Sequence, residues 1–172
     1  MLSGSIACYK ACDVISQLVK SGNTVKTVCS QSALQFIGPA TLEGLTGEAP
    51  YTTSFEGNRM MSHIDLARWA DLIVLCPASA HSINALAHGV GDGLIADIFL
   101  SNNFQKKFMI APAMNTQMLL HPATQQSLEQ LRKWGTIILD TDSGSLACGE
   151  KGEGRLLAPS ILLEKILMEL KS

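Results

Sequence analysis

Short apolar runs alternate along the chain with longer segments of mixed polarity. The runs at residues 24–30 (TVKTVCS), 72–76 (LIVLC), 107–111 (KFMIA) and 136–140 (TIILD) are rich in Val, Ile and Leu and predict strands. Three of them show little polar alternation, which predicts a sheet covered on both faces. Between them the pattern predicts helices at about 6–21, 32–37, 64–69, 82–87, 94–101 and 123–134. The helix at 123–134 has Pro122 near its start and Gly135 just past its end, the expected asymmetry of helix termini. A last helix starts near Ser160, a good N-cap behind Pro159, and runs to about Leu170. Strands alternating with helices imply an α/β fold with a parallel sheet and right-handed crossovers. Two stretches, 46–61 and 142–156, are rich in Gly, Ser and charge without periodicity, and predict functional loops. Only Met1, Leu2 and Ser3 precede Gly4, so either the strand expected before the first glycine turn is very short or the natural chain begins further upstream.

Composition narrows the function classes. The 172 residues carry 47% hydrophobic and 16% charged side chains and a formal net charge of −2. That length suits one domain spanning residues 1–172, large enough to bury a core without staples. The near-neutral balance argues against a nucleic-acid grip or an anionic membrane surface, both of which need clustered Lys and Arg. The first residues show no secretory signal, and no segment reaches the roughly 20 apolar residues of a membrane span. A soluble, cytoplasmic protein is expected. Five cysteines (Cys8, Cys12, Cys29, Cys76, Cys148) make an odd count without zinc-like spacing, so no metal site is expected. The first four read as packing or free thiols of a reducing compartment.

Five segments carry candidate chemistry. Ser3-Gly4-Ser5-Ile6-Ala7 opens a helix, where small residues let an anion approach backbone N–H groups. Cys76-Pro77-Ala78-Ser79-Ala80-His81-Ser82 and Ala111-Pro112-Ala113-Met114-Asn115-Thr116-Gln117-Met118 each follow a predicted strand, where α/β sheets bind ligands. Asn115 could hold a carboxylate or simply cap the next turn. Met61-Ser62-His63-Ile64-Asp65-Leu66 offers a histidine that could act as a base or be structural. In the stretch 144–155, four glycines make a flap plausible, with Cys148 inside it and Lys151 and Arg155 nearby to lower a thiol pKa.

Taken together and in this order, GSIA, HIDLARWAD, PASA, PAMNTQM and ACGEKGEGR resemble the flavin-dependent cysteine decarboxylases, most closely the phosphopantothenoylcysteine decarboxylase branch that serves coenzyme A synthesis. The resemblance covers essentially the whole chain. It implies a flavodoxin/Rossmann-like domain, a parallel sheet with helices on both faces in three layers, that binds FMN. It also implies a homo-oligomer, a trimer or a dodecamer of trimers, whose site draws on two chains. Matched position by position, Gly4, Ser5, Ile6, Ser30, Ser79, Ala80, His81, Ser82, Ala113 and Met118 would bind FMN. His63, Asn115 and Cys148 would be catalytic. Asn115, Ser145, Leu146 and Ala147 would contact substrate, and Arg68 either binds the substrate's phosphate or carboxylate or forms a surface ion pair. His81, Ala85, Gly93 and Leu119 depart from the residues usual at their positions.

The residue types fit the implied reaction. A cysteine carboxylate loses CO2 only if the resulting carbanion has a sink, which prior oxidation of the thiol toward a thioaldehyde supplies. Asn115 would hold the carboxylate and His63 would assist deprotonation or binding. Cys148 would protonate the ene-thiol as it is reduced to the saturated thiol. The resemblance thus implies decarboxylation of 4'-phosphopantothenoylcysteine to 4'-phosphopantetheine. The alternatives are a peptidyl-cysteine decarboxylase, which stops at the ene-thiol and does not need Cys148, a flavin prenyltransferase-like protein, and a non-catalytic regulatory flavoprotein of the same fold.

Overall fold

The computed structural model describes residues 1–54, 61–147, 149 and 151–171. Its helices are α1 (Cys8–Lys20), α2 (Pro39–Thr46), α3 (Ser62–Trp69), α4 (Ala80–Ala87), α5 (Leu94–Asn102), α6 (Thr116–Leu120), α7 (Pro122–Lys133) and α8 (Pro159–Lys171). Its strands are β1 (Leu72–Ala78), β2 (Lys107–Pro112), β3 (Ile137–Ile138), β4 (Asp142–Ser145) and β5 (Lys151–Arg155). A short 3-10 turn occupies Ala33–Gln35, where a helix over 32–37 was expected.

The central sheet is parallel, with Ile73 opposite Phe108 and Met109 opposite Ile137. It continues beyond β1 through single rungs. The Met1 ammonium donates to the Val74 carbonyl at 2.7 Å, and Cys76 N–H donates to the Met1 carbonyl at 2.9 Å. On its other side Leu2 N–H donates to Val28 O at 2.7 Å, and Cys29 N–H donates to Tyr51 O at 2.8 Å. Laterally the sheet therefore runs residue 51, residue 28, residue 2, β1, β2, β3. Numbered along the chain this is the order 3-2-1-4-5-6 of a doubly wound fold, which reverses between residue 2 and β1. The expected strand at 24–30 forms parallel bridges at Val28 and Cys29 rather than a continuous ladder, because each neighbour meets it for only a rung or two.

The strand period of two divides the core. Ile73, Leu75, Phe108 and Ile110 point to one face, where α3, α4, α5 and α7 bury Leu66, Ile83, Leu86, Ile98 and Leu131 against them. Val74, Cys76, Met109 and Ala111 point to the other, against Val14 and Ile15 of α1, Leu42 of α2 and Leu162 and Ile166 of α8. Runs without polar alternation thus fold into a three-layer α/β sandwich, since both strand faces are covered.

Of the two expected loops, 142–156 is structured, while 46–61 lies partly outside the described residues. Residues 142–156 form an antiparallel hairpin of β4 and β5, with Ser145 opposite Lys151. Between residues 38 and 47, α2 runs from Pro39 at its first turn to Gly47, which closes it at φ 76°. Only Leu42 of α2 is fully buried, so its apolar period is too thin to read from sequence. Among the described residues no helix is long and apolar enough to cross a membrane.

Candidate active site

A cavity of about 470 Å³ opens at the carboxyl ends of the strands, beside the point where the sheet order reverses. Three loops and the hairpin build it: Gly4–Ala7, Ser79–Ala80, Ala113–Asn115 with Met118, and Ser145–Ala147 with Gly154–Leu156.

Ser3 ties the first two loops together. Its buried hydroxyl donates to Pro77 O at 2.9 Å and accepts from Ser79 N–H at 2.8 Å. The sequence pattern alone does not mark Ser3, because it looks like any small residue at a strand end. Gly4 abuts the 30–32 loop so closely that an added Cβ would lie 2.5 Å from the Ser32 Cβ, so only glycine fits unless the loop moves. Ser5 Oγ accepts from Ala7 N–H at 3.3 Å. The N–H groups of Gly4, Ser5 and Ile6 meet no acceptor among the described residues and precede the 13-residue helix α1. Unpaired amides at a helix start favour an anion such as a phosphate. The sides of the cavity are formed by the small Ala80 and Ala113, flanked by Ile6, Tyr9 and Met118, which are 57%, 63% and 50% exposed. A flat, apolar ring system with a phosphate tail suits that combination, so the residues present fit a flavin mononucleotide.

Asn115 is the N-cap of α6, its side-chain oxygen accepting from Gln117 N–H at 2.8 Å. That bond turns the amide NH2 end, the donor end, away from Gln117. The hairpin is fixed to this loop by two hydrogen bonds. Met114 N–H donates to Gly154 O at 2.9 Å and Thr116 Oγ1 donates to Glu153 O at 2.6 Å. Gly154 sits at φ +108° with its α-carbon against the Met114 carbonyl, so a side chain there would clash and be strained. The tip residues Ser145, Leu146 and Ala147 are thereby held over the same cavity.

Other expected site residues lie off the lining. Ser30 caps the 3-10 turn, its hydroxyl accepting from Ala33 N–H at 3.1 Å. Ser82 is buried, with its N–H donating to the Ser79 hydroxyl at 3.3 Å, and His81 is exposed on α4. His63 and Arg68 sit on α3, which packs on α5. The His63 Nδ1 is buried and has no partner among the described residues, and Arg68 is exposed. Cys148 lies outside the described residues. Tyr9, Lys10 and Arg155 line the cavity although the family motifs did not single them out as binding residues.

The four described cysteines are free thiols. Burial pushes all of them up, Cys29 to about 11 and Cys76 to about 12, so none of them is primed as an acid or nucleophile near neutral pH. Among the described residues no group of three or more His, Cys, Asp or Glu is placed to hold a metal ion.

The chain resembles known proteins over nearly its full length. It is 39% identical over 165 residues to the coenzyme A biosynthesis bifunctional protein CoaBC of Bacillus subtilis, a match that takes in 95% of this chain and 40% of that protein. The chain thus spans less than half the length of that bifunctional relative. It is 38% identical over 167 residues to a protein of Streptococcus mutans named probable phosphopantothenoylcysteine decarboxylase, covering 96% of this chain and 93% of that one. Among solved structures, a PPC decarboxylase variant complexed with pantothenoylaminoethenethiol superposes with a TM-score of 0.89 at 29% identity, covering 99% and 96% of the two chains. The family described as Flavoprotein matches residues 1–171, and with the doubly wound sheet and its carboxyl-end cavity this establishes that the chain belongs to the Flavoprotein family.

Proposed function

We propose that the chain is a single FMN-binding domain over residues 1–172 that decarboxylates 4'-phosphopantothenoylcysteine to 4'-phosphopantetheine. The observation that carries this is convergence: GSIA, PASA, PAMN and the hairpin, distant in sequence, line one cavity. The names of the relatives at 38–39% identity point to the same branch. When bound, FMN supplies the reversible oxidation of the substrate thiol that gives the carbanion its sink.

The chain's residues would do the rest. The amides of Gly4, Ser5 and Ile6 hold the flavin phosphate, and Ala80 and Ala113 leave room for the ring. Asn115 donates its amide N–H to the substrate carboxylate and fixes it for cleavage. The 145–147 tip covers the substrate and excludes water. Cys148 holds the proton delivered to carbon in the return to a saturated thiol. His63 and Arg68 do not line the cavity of their own chain, and exposed Ile6, Tyr9 and Met118 surround it. Both facts support a homo-oligomer, trimeric or built from trimers, in which α3 of one copy completes the site of the next. Free thiols support a cytoplasmic location, and the near-neutral charge supports a small molecule rather than nucleic acid or membrane as partner.

The purified protein should be yellow, and mass spectrometry of its reaction with 4'-phosphopantothenoylcysteine should show 4'-phosphopantetheine. A protein that takes up no FMN, or a product that stays at the ene-thiol, would reject this assignment. Cys148→Ser should still release CO2 while accumulating the ene-thiol.

A further inference from the structure

The chain's formal charge is −2, yet the described lining of the active-site cavity contains no carboxylate and two cations, Lys10 and Arg155. Arg155 ends β5, on the hairpin whose tip carries Ser145, Leu146 and Ala147. Its guanidinium passes close over Gly144, at a spot where any Cβ would collide with Nη1. Among the described residues its one hydrogen bond is a long 3.5 Å one from Nη1 to the Ser143 carbonyl, and no carboxylate there pairs with it. Asp142 stands opposite Arg155 in the ladder, but its Oδ1 accepts from Ser143 N–H at 2.8 Å and it does not line the cavity. Lys10, on α1, donates to the Leu156 carbonyl at 2.9 Å and so pins the root of β5. Burial first, and then the neighbouring Arg155 charge, lower the Lys10 pKa, while Asp142 outside the cavity lining partly offsets them.

We propose that Arg155 binds the terminal phosphate of the substrate and selects phosphorylated over unphosphorylated acyl-cysteines, with Lys10 as the positioning residue behind it. This rests on the decarboxylase assignment above. The flavin phosphate has its own donors in the Gly4–Ile6 amides, whereas Arg155 shares a hairpin with the residues expected to cover the substrate. A guanidinium fork matches two phosphate oxygens at once, and the absence of a side chain at Gly144 is what lets it lie there. A peptide substrate would carry no phosphate at that end, so the residue would also set the branch of chemistry the cavity accepts.

The test compares Arg155→Ala and Arg155→Lys with the FMN-loaded wild type on two substrates, 4'-phosphopantothenoylcysteine and pantothenoylcysteine. Arg155→Ala should raise KM for the phosphorylated substrate about tenfold to a hundredfold with kcat little changed, and alter the unphosphorylated one less than about threefold. Arg155→Lys should recover part of the loss. In parallel, equilibrium binding of 4'-phosphopantothenate against pantothenate should show a preference in the wild type that Arg155→Ala abolishes. That binding arm reads the phosphate site even if neither compound is turned over, a result that would sink the decarboxylase assignment alone. Equal losses on both substrates, an unchanged phosphate preference, or loss of FMN from Arg155→Ala would each overturn the proposal.

Discussion

Among the described residues, two cavities of about 470 Å³ each lie at opposite ends of the sheet. One opens at the carboxyl ends of the strands and is lined by loops, small residues, helix-start amides and two cations. The other lies at the amino ends, among Met1, Leu2, the 22–27 turn, Leu72 and Val74, with Val14, Leu18 and Ile166 of the flanking helices. Its charged residues are of opposite sign, Asp71 and Lys26, and Lys26 is already held over the Trp69 ring at 5.0 Å and beside Glu48 at 4.0 Å. Volume therefore does not distinguish them. What differs is which backbone groups face inward. Carboxyl ends of parallel strands lead into helix starts, where N–H groups are left over, while the amino-end cavity is walled by strand edges and apolar helix faces. The first presents groups that suit an anionic ligand; the second is lined mainly by apolar side chains.

The sharpest way to break that contrast is to disable one end at a time. Asn115→Asp keeps the acceptor that caps α6 but places a negative charge against the substrate carboxylate. Its kcat/KM should fall about a hundredfold or more while thermal stability stays near wild type. A melting temperature that collapses with the activity would mean that the residue is only a cap. Next in size, Ala113→Leu should crowd the small-residue wall and weaken FMN retention about tenfold to a hundredfold, read from the flavin absorbance left after gel filtration. Full retention would remove Ala113 from the cradle.

At the amino end the expectation reverses. Leu18→Ala enlarges the second cavity and should cost about 2–3 kcal/mol of stability while leaving kcat/KM per folded, FMN-loaded molecule within about twofold. A selective loss of activity would give that cavity a function. The smallest effect concerns Cys76, which lines the amino-end cavity, and Cys29. Their folded pKa values of about 12 and 11 lie above the ordinary 9.0, so the stability tied to the protonated thiols is complete below pH 9 and is lost as pH rises beyond it. The melting temperature should drop between about pH 9 and pH 11, and Cys29→Ala with Cys76→Ala should flatten that drop. An unchanged slope in the double variant would assign the drop to other groups.

Much of the sheet was legible because unalternating runs such as LIVLC and KFMIA have one economical use, a strand buried on both faces. The apolar stripe of α1 was legible from its spacing, and α7 from the Pro122 and Gly135 at its ends. Segment 24–30 misled because strand character depends on neighbours, and its neighbours provide only single rungs. The hairpin at 142–155 was hidden by glycines that look like loop, although at Gly144 and Gly154 they allow close approach by Arg155 and by the 113–115 loop. Of the site, the motif residues at helix starts were visible by type. The contacts of Ser3, Lys10 and Arg155 were not, since their partners lie 74, 146 and 12 residues away.

The placement of residues 1–3 has a kinetic consequence. This segment sits in the middle of the sheet, and the partners that hold it are the 28–30 rungs on one side and Val74 and Pro77 on the other. It can be completed only after a loop of 73 residues closes between Met1 and Val74, which makes it a contact of high sequence separation. Folding should accordingly nucleate in the β1–α4–α5–β2 half, whose contacts are short in sequence, with the anion-binding turn at Gly4 among the last parts to lock. Flavin uptake would then report the final step of folding rather than an event after it.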